Sequence, residues 1–106
     1  MRFIFAPEVE HYLIELVEIL FHKEYFGFYE DADEYVTSLV TDITTSLSSK
    51  QKKTAPEYFS TYGKDLYYSV FKKNNHTQWY VFFNLENDIY YIRYIGNNHM
   101  VSQHLS

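Results

Sequence analysis

The sequence predicts an α+β fold in a single domain spanning residues 1–106, and three observations carry that reading. Residues 64–99, KDLYYSVFKKNNHTQWYVFFNLENDIYYIRYIGNNH, hold three runs rich in Tyr, Phe, Val and Ile, separated by Lys72–Thr77 and by Glu86-Asn87-Asp88. This is the composition of β-strands broken by turn residues, and it predicts an antiparallel meander. The first half instead repeats its apolar residues at helical spacing, twice. Nothing C-terminal to the meander is long enough to cover a sheet face, so two antiparallel helices from the first half are expected to pack on one side of it.

Arg2 to Ala6 is short and apolar, stands before Pro7, and reads as a first strand suited to the edge of the later sheet. Pro7 fits the first turn of a helix, and Glu8 and Glu10 complement its positive end. Val9, Tyr12, Leu13, Leu16, Val17 and Leu20 form its apolar stripe, and the helix should stop between Lys23 and Gly27. A second helix is expected from Asp31, as N-cap, with Glu34 at its third position. Its stripe is Tyr35, Val36, Leu39, Val40, Ile43 and Leu47, and its other side is Thr, Ser and Asp, so packing must stabilise it. Ser48 to Tyr62 reads as the one long irregular segment, of a length that is often functional in compact domains. In the meander, Asn74-Asn75 suits a hairpin turn because Asn tolerates positive φ.

Composition bounds the function. A chain of 106 residues buries about 65% of its unfolded surface and needs no disulfide, in keeping with the absence of cysteine. No apolar run approaches the roughly 20 residues of a membrane span, and the stretch before Pro7 is too brief for a signal-peptide core. The expectation is a soluble cytoplasmic protein that does not engage membranes. Net charge is −5, which argues against a non-specific nucleic-acid binder. The charge is divided: residues 1–49 carry ten acids against Arg2 and Lys23, whereas residues 50–106 carry seven Lys/Arg against four acids. A local basic surface on the sheet half is therefore compatible with the acidic total. Twelve Tyr and nine Phe exceed what a minimal core needs, and Tyr suits half-wet binding faces.

No glycine-rich phosphate loop, cysteine-based zinc pattern or nucleophile elbow is present. His99 and His104 are five residues apart, do not share a helix face and have no carboxylate beside them in sequence, so neither a metal nor another cofactor is expected. RNA cleavage requires less. A 2′-hydroxyl attacks its own phosphate if one group takes its proton, another protonates the leaving 5′-oxygen, and cations hold the phosphoryl oxygens. Histidine suits both transfers. The sheet half offers His76, His99 and His104, with Arg93, Lys72 and Lys73 as cations, and Lys50, Lys52 and Lys53 form the densest positive cluster. Each imidazole has a plain structural reading as well. Arg93 alternates with Tyr91 and Ile95, which would lay it over an aromatic face in a stacking role. The lysine cluster reads either as a solvated loop or as a set of phosphate contacts.

The order of elements, together with Trp79–Phe83 (WYVFF) and Arg93–His99 (RYIGNNH), resembles the RelE/ParE superfamily of bacterial type II toxins; Ala55–Phe59 and Tyr62-Gly63-Lys64 extend the likeness over nearly the whole chain. The resemblance implies a small α+β toxin neutralised by a cognate antitoxin protein. RelE-like members cleave mRNA in the ribosomal A site without a metal, so the expected activity is an endoribonuclease that inhibits translation. ParE-like members inhibit DNA gyrase, and a non-enzymatic toxin of that kind, or a degenerate one that only binds antitoxin, is the alternative. The resemblance implies cleavage residues on the concave sheet face and near the C-terminus, where Gly96–His99 looks like a Gly-[Ser/Thr]-His motif with one extra residue. On that basis His99 is the preferred acid/base, His104 and His76 are next, and Arg93 and Lys73 stabilise phosphate. Gln78-Trp79 and Asn97-Asn98 depart from the basic residues that RelE has at those places.

Overall fold

The computed structural model describes residues 1–23 and 25–105 and bears out the α+β class. A strand β1 (Arg2–Phe5) leads into α1 (Pro7–His22) and α2 (Tyr29–Ser46). There follow β2 (Lys53–Thr54), β3 (Tyr67–Lys72), β4 (Gln78–Glu86), β5 (Ile89–Asn97) and a four-residue α3 (Asn98–Val101). Single 3-10 turns occupy Leu47–Ser49, Glu57–Tyr62 and Ser102–His104. The strands form one sheet in the order β1-β5-β4-β3-β2. β1 lies parallel to β5, with Phe3 beside Tyr90 and Phe5 beside Ile92, and the other pairs are antiparallel, so the sheet is mixed.

Several local expectations shift. α2 begins at Tyr29, two residues before Asp31, with Phe28 as an N-cap that makes no side-chain hydrogen bond; Glu30 and Asp31 then sit in the first turn, where they complement the helix dipole. The segment from Ser48 to Tyr62 is not irregular: it supplies the edge strand β2 and the 3-10 turn Glu57–Tyr62. Positive φ falls not at Asn74-Asn75 but at Asp65 (55°), before β3, and at Asn87 (51°) and Asp88 (65°), the two central residues of the tight β4–β5 hairpin. That is the backbone a primed two-residue turn demands. The Lys73–Thr77 connection closes differently, with Asn74 Oδ1 accepting from the His76 N–H at 2.8 Å. Of the expected end of the first helix, Glu24 lies outside the described residues.

The helices cover one sheet face. Val9, Leu13, Leu16 and Val17 of α1 and Val36, Leu39 and Ile43 of α2 pack on Phe71, Trp79, Val81, Phe83, Tyr90, Ile92 and Ile95. Trp79 is almost fully buried in this layer, and its indole N–H donates to Tyr35 Oη at 2.9 Å, tying β4 to α2.

The opposite face is covered too, contrary to the expectation that no C-terminal segment reaches far enough. Phe59 and Val101, with Leu105, pack on Leu66, Tyr68, Tyr80 and Phe82, and Tyr94 joins them. The cover therefore comes from the turn Glu57–Tyr62 and from Asn98–Leu105.

A β-bulge makes both layers fit. Phe82 pairs with Tyr94 but Phe83 pairs with Ile92, which leaves Arg93 as the extra residue on β5. Strict alternation would put Ile92 and Tyr94 on one face. The inserted residue turns Tyr94 to the aromatic side and Ile95 to the helices.

Candidate functional site

The end of β5 is shaped by the residues Gly96-Asn97-Asn98-His99. A Cβ on Gly96 would stand 2.6 Å from Val101 Cγ2, so the absence of a side chain there lets α3 fold back against the sheet. Asn97 caps α3, its Oδ1 accepting from the Met100 N–H at 3.0 Å. Asn98 is a strap: its Oδ1 accepts from the Gln78 N–H at 3.0 Å and its Nδ2 donates to the His76 carbonyl at 3.3 Å. The two asparagines are thus architectural. Through Asn98 the β3–β4 connection bearing His76 is brought to the start of α3, where His99 projects with an exposed side chain.

Beside α3 lies a cleft of about 450 Å³ between the first turn of α1, the turn Glu57–Tyr62 and β5. Ala6, Glu8, Val9, Tyr12, Thr61, Tyr62, Arg93, Tyr94, Ile95 and Met100 line it. Its aromatic wall is the Tyr62–Tyr94 pair, stacked with ring centroids 4.0 Å apart and planes 8° from parallel. Burial, followed by the neighbouring Tyr62, pushes the Tyr94 phenol up to about 12, and burial raises Tyr12 as well. Both therefore remain neutral hydroxyls at physiological pH.

Arg93, the bulge residue, stands at the mouth. Its Nε donates to Asn84 Oδ1 at 3.0 Å, and Asn84 Nδ2 in turn donates to the Lys64 carbonyl at 2.8 Å. The guanidinium lies 5.7 Å from the Tyr91 ring centroid, so it does stack on an aromatic side chain. Ile95 is not part of that face, because the bulge sends it into the helix layer. With Nε engaged, the two terminal nitrogens of Arg93 remain as the paired donors that suit a carboxylate or phosphate.

The lysines divide into two groups. Lys73 Nζ donates to Ser38 Oγ at 2.8 Å and pairs with Asp42 Oδ2 at 3.1 Å, 5.4 Å over the Tyr35 ring, with its side chain only 13% exposed. It braces the hairpin to α2. Lys52 Nζ donates to the carbonyls of Leu47, Ser48 and Lys50, each at 3.2 Å, closing the turn after α2. Lys50 lies over Phe71, 4.7 Å from the ring. Lys53 and Lys72 are exposed. Lys53 pairs with Tyr68, and Lys72 pairs with Gln78 two residues before Tyr80, so both point to the aromatic face at its β2–β3 margin.

His104 is held on the turn Glu57–Tyr62. It stacks on Tyr58 with centroids 3.6 Å apart and planes 5° from parallel, and meets the Phe59 ring edge-on. No histidine lines the cleft, although Met100, the neighbour of His99, does. Among the described residues no three His, Cys, Asp or Glu side chains come close enough to hold a metal ion within one chain.

The cleft residues around Arg93 that sequence reasoning missed are Tyr12, Tyr62, Tyr94 and Met100. Tyr12 belonged to a helical stripe and Tyr94 to a strand, and only the bulge, invisible in the periodicity, brings them together. No family model, curated protein or solved structure matches the chain.

Proposed function

We propose that this chain is the toxin of a type II toxin–antitoxin pair, acting as a metal-independent mRNA endoribonuclease. The single observation that carries the reading is the cleft beside α3: a cation backed by stacked tyrosines, with His99 one residue from the lining residue Met100. An RNA strand entering the cleft would set a phosphate against the terminal nitrogens of Arg93 and a base against the Tyr62–Tyr94 stack. His99 is the residue that takes the 2′-hydroxyl proton or protonates the departing 5′-oxygen, leaving a 2′,3′-cyclic phosphate and a 5′-hydroxyl. His76, held near by the Asn98 strap, is the complementary group, and exposed Lys53 and Lys72 extend the positive margin. The partners of this reading are mRNA, on the ribosome by the resemblance to RelE, and an antitoxin that occludes the cleft.

A second reading has an observation of its own. No imidazole lines the cleft, and Lys73 and Lys52 already hold internal partners. A non-enzymatic toxin that binds a protein such as DNA gyrase would need neither. Mapping transcript ends after induction separates the two. The nuclease reading expects codon-phased breaks that fall by about 10²-fold or more in Arg93→Ala and in His99→Ala. Intact transcripts accompanied by DNA damage would remove it in favour of the binding reading.

A further inference from the structure

The outward face of α1 carries a pattern that the cleft does not use. His11, Ile14, Glu15, Glu18, Ile19 and His22 fall at i, i+3, i+4, i+7, i+8 and i+11, one continuous ridge of the helix. All six are exposed, Ile14 at 71%, and the ridge lies opposite the buried Val9, Leu13, Leu16 and Val17. The order His-Ile-Glu-Glu-Ile-His reads the same in both directions about a midpoint between Leu16 and Val17. Each half is also a chelate in waiting. His11 Nε2 lies 2.8 Å from Glu15 Oε1, and His22 Nε2 lies 3.2 Å from Glu18 Oε2.

We infer that this ridge is half of a divalent transition-metal site, completed by a second copy of the chain in an antiparallel α1–α1 dimer. Placing two copies about a two-fold axis at the midpoint sets Ile14 against Ile19 of the second copy. It also brings His11 and Glu15 of one chain to Glu18 and His22 of the other. The result is two equivalent clusters of two imidazoles and two carboxylates, four nitrogen and oxygen donors of kinds that zinc takes, in the number that a tetrahedral site needs.

Geometry and charge agree with that ligand set. Zinc bonds of about 2.0–2.1 Å at tetrahedral angles separate neighbouring ligand atoms by about 3.3 Å, so the cation enters between each His–Glu pair with a shift of a few tenths of an ångström. Without a cation the axis would set carboxylates against carboxylates, and with neutral imidazoles each cluster carries two negative charges, which one divalent ion balances. The groups around the ridge are compatible. Phe21 meets His22 edge-on with ring centroids 5.5 Å apart, and Lys23 falls to the side of the ridge. Two isoleucines per chain are too small an apolar contact to hold a dimer alone, so association depends on the metal. The inference is independent of the toxin reading.

The test is the molar mass of the full chain by light scattering, with zinc chloride or with EDTA. The expected result is a dimer with one zinc per chain, returning to monomer in EDTA. His11→Ala/His22→Ala should remain monomeric in zinc, and His99→Ala/His104→Ala should dimerise like the unaltered chain. The inference is overturned by a monomer in zinc, by a dimer that persists in EDTA, or by loss of dimerisation only when the C-terminal histidines are removed.

Discussion

The two faces of the sheet are both covered, but by unlike means. On one face, helices of 16 and 18 residues lay two aliphatic stripes over Val81, Ile92 and Ile95. On the other, a six-residue 3-10 turn and an eight-residue C-terminal segment lay Phe59, Val101 and Leu105 over an aromatic layer. Long regular elements are hydrogen-bonded within themselves and remain in place when one contact is lost. Short covers depend on a few ring contacts and one asparagine strap, so they open at lower free energy. On the proposed function, the difference separates a structural face from the one that bears the site. The cleft, Arg93 and the histidine-bearing α3 all lie at the margin of the weaker cover.

The comparison is broken most forcefully from the helix side. Phe83 is fully buried between α1, α2 and the sheet, and Phe83→Ala should cost about 3–5 kcal/mol in chemical denaturation. Tyr58→Ala removes a ring that is 58% exposed and stacked on His104; it should cost under about 1 kcal/mol while releasing the C-terminal segment to faster amide exchange. Equal global losses for the two variants would show that the faces do not differ in kind.

That asymmetry also explains what the sequence made legible. The helix face follows from periodicity, because Val9 to Leu20 and Tyr35 to Leu47 repeat at the helical interval. The other face does not, for three physical reasons. Its cover, Glu57–Tyr62, is a 3-10 segment too short to show a period, and Asn98–Leu105 looks like a tail until Gly96 allows the turn back. The bulge at Arg93 then reverses the alternation within β5, so Tyr94 and Ile95 exchange faces against any period-two reading. Histidine and lysine positions are equally opaque. Nothing in Lys72-Lys73 tells which ammonium will meet Asp42 of α2, and the partner of Lys73 stands 31 positions before it.

A smaller effect sharpens the comparison at the hinge between the faces. Gly96→Ala places a methyl 2.6 Å from Val101 Cγ2 and 3.1 Å from Tyr94 Oη. Overpacking of this kind costs about 1–3 kcal/mol, and here the short cover is the element able to yield. Proteolysis within residues 98–105 should accelerate while the thermal transition of the helix face moves by only a few degrees. A variant that loses global stability without loosening this segment would place Gly96 in the main core instead.

The smallest effect concerns the cleft wall itself, and its sign follows from the direction of one shift. The Tyr94 phenol is raised from its ordinary 10 to about 12 by burial and by Tyr62. The folded chain therefore keeps this proton at a pH where the unfolded chain has already lost it. The contribution is fully present below pH 10 and declines as pH rises toward 12, so alkaline solution should loosen the aromatic face. Ultraviolet titration of the phenols should show a late-ionising fraction, Tyr12 included, that falls by one phenol in Tyr94→Phe. Tyr62→Phe leaves the stack but removes the neighbouring hydroxyl, and should lower that late transition only in part, because burial is the larger cause. Full return to ordinary titration in Tyr62→Phe would mean that the wall is wet and the stacked pair is exposed to solvent.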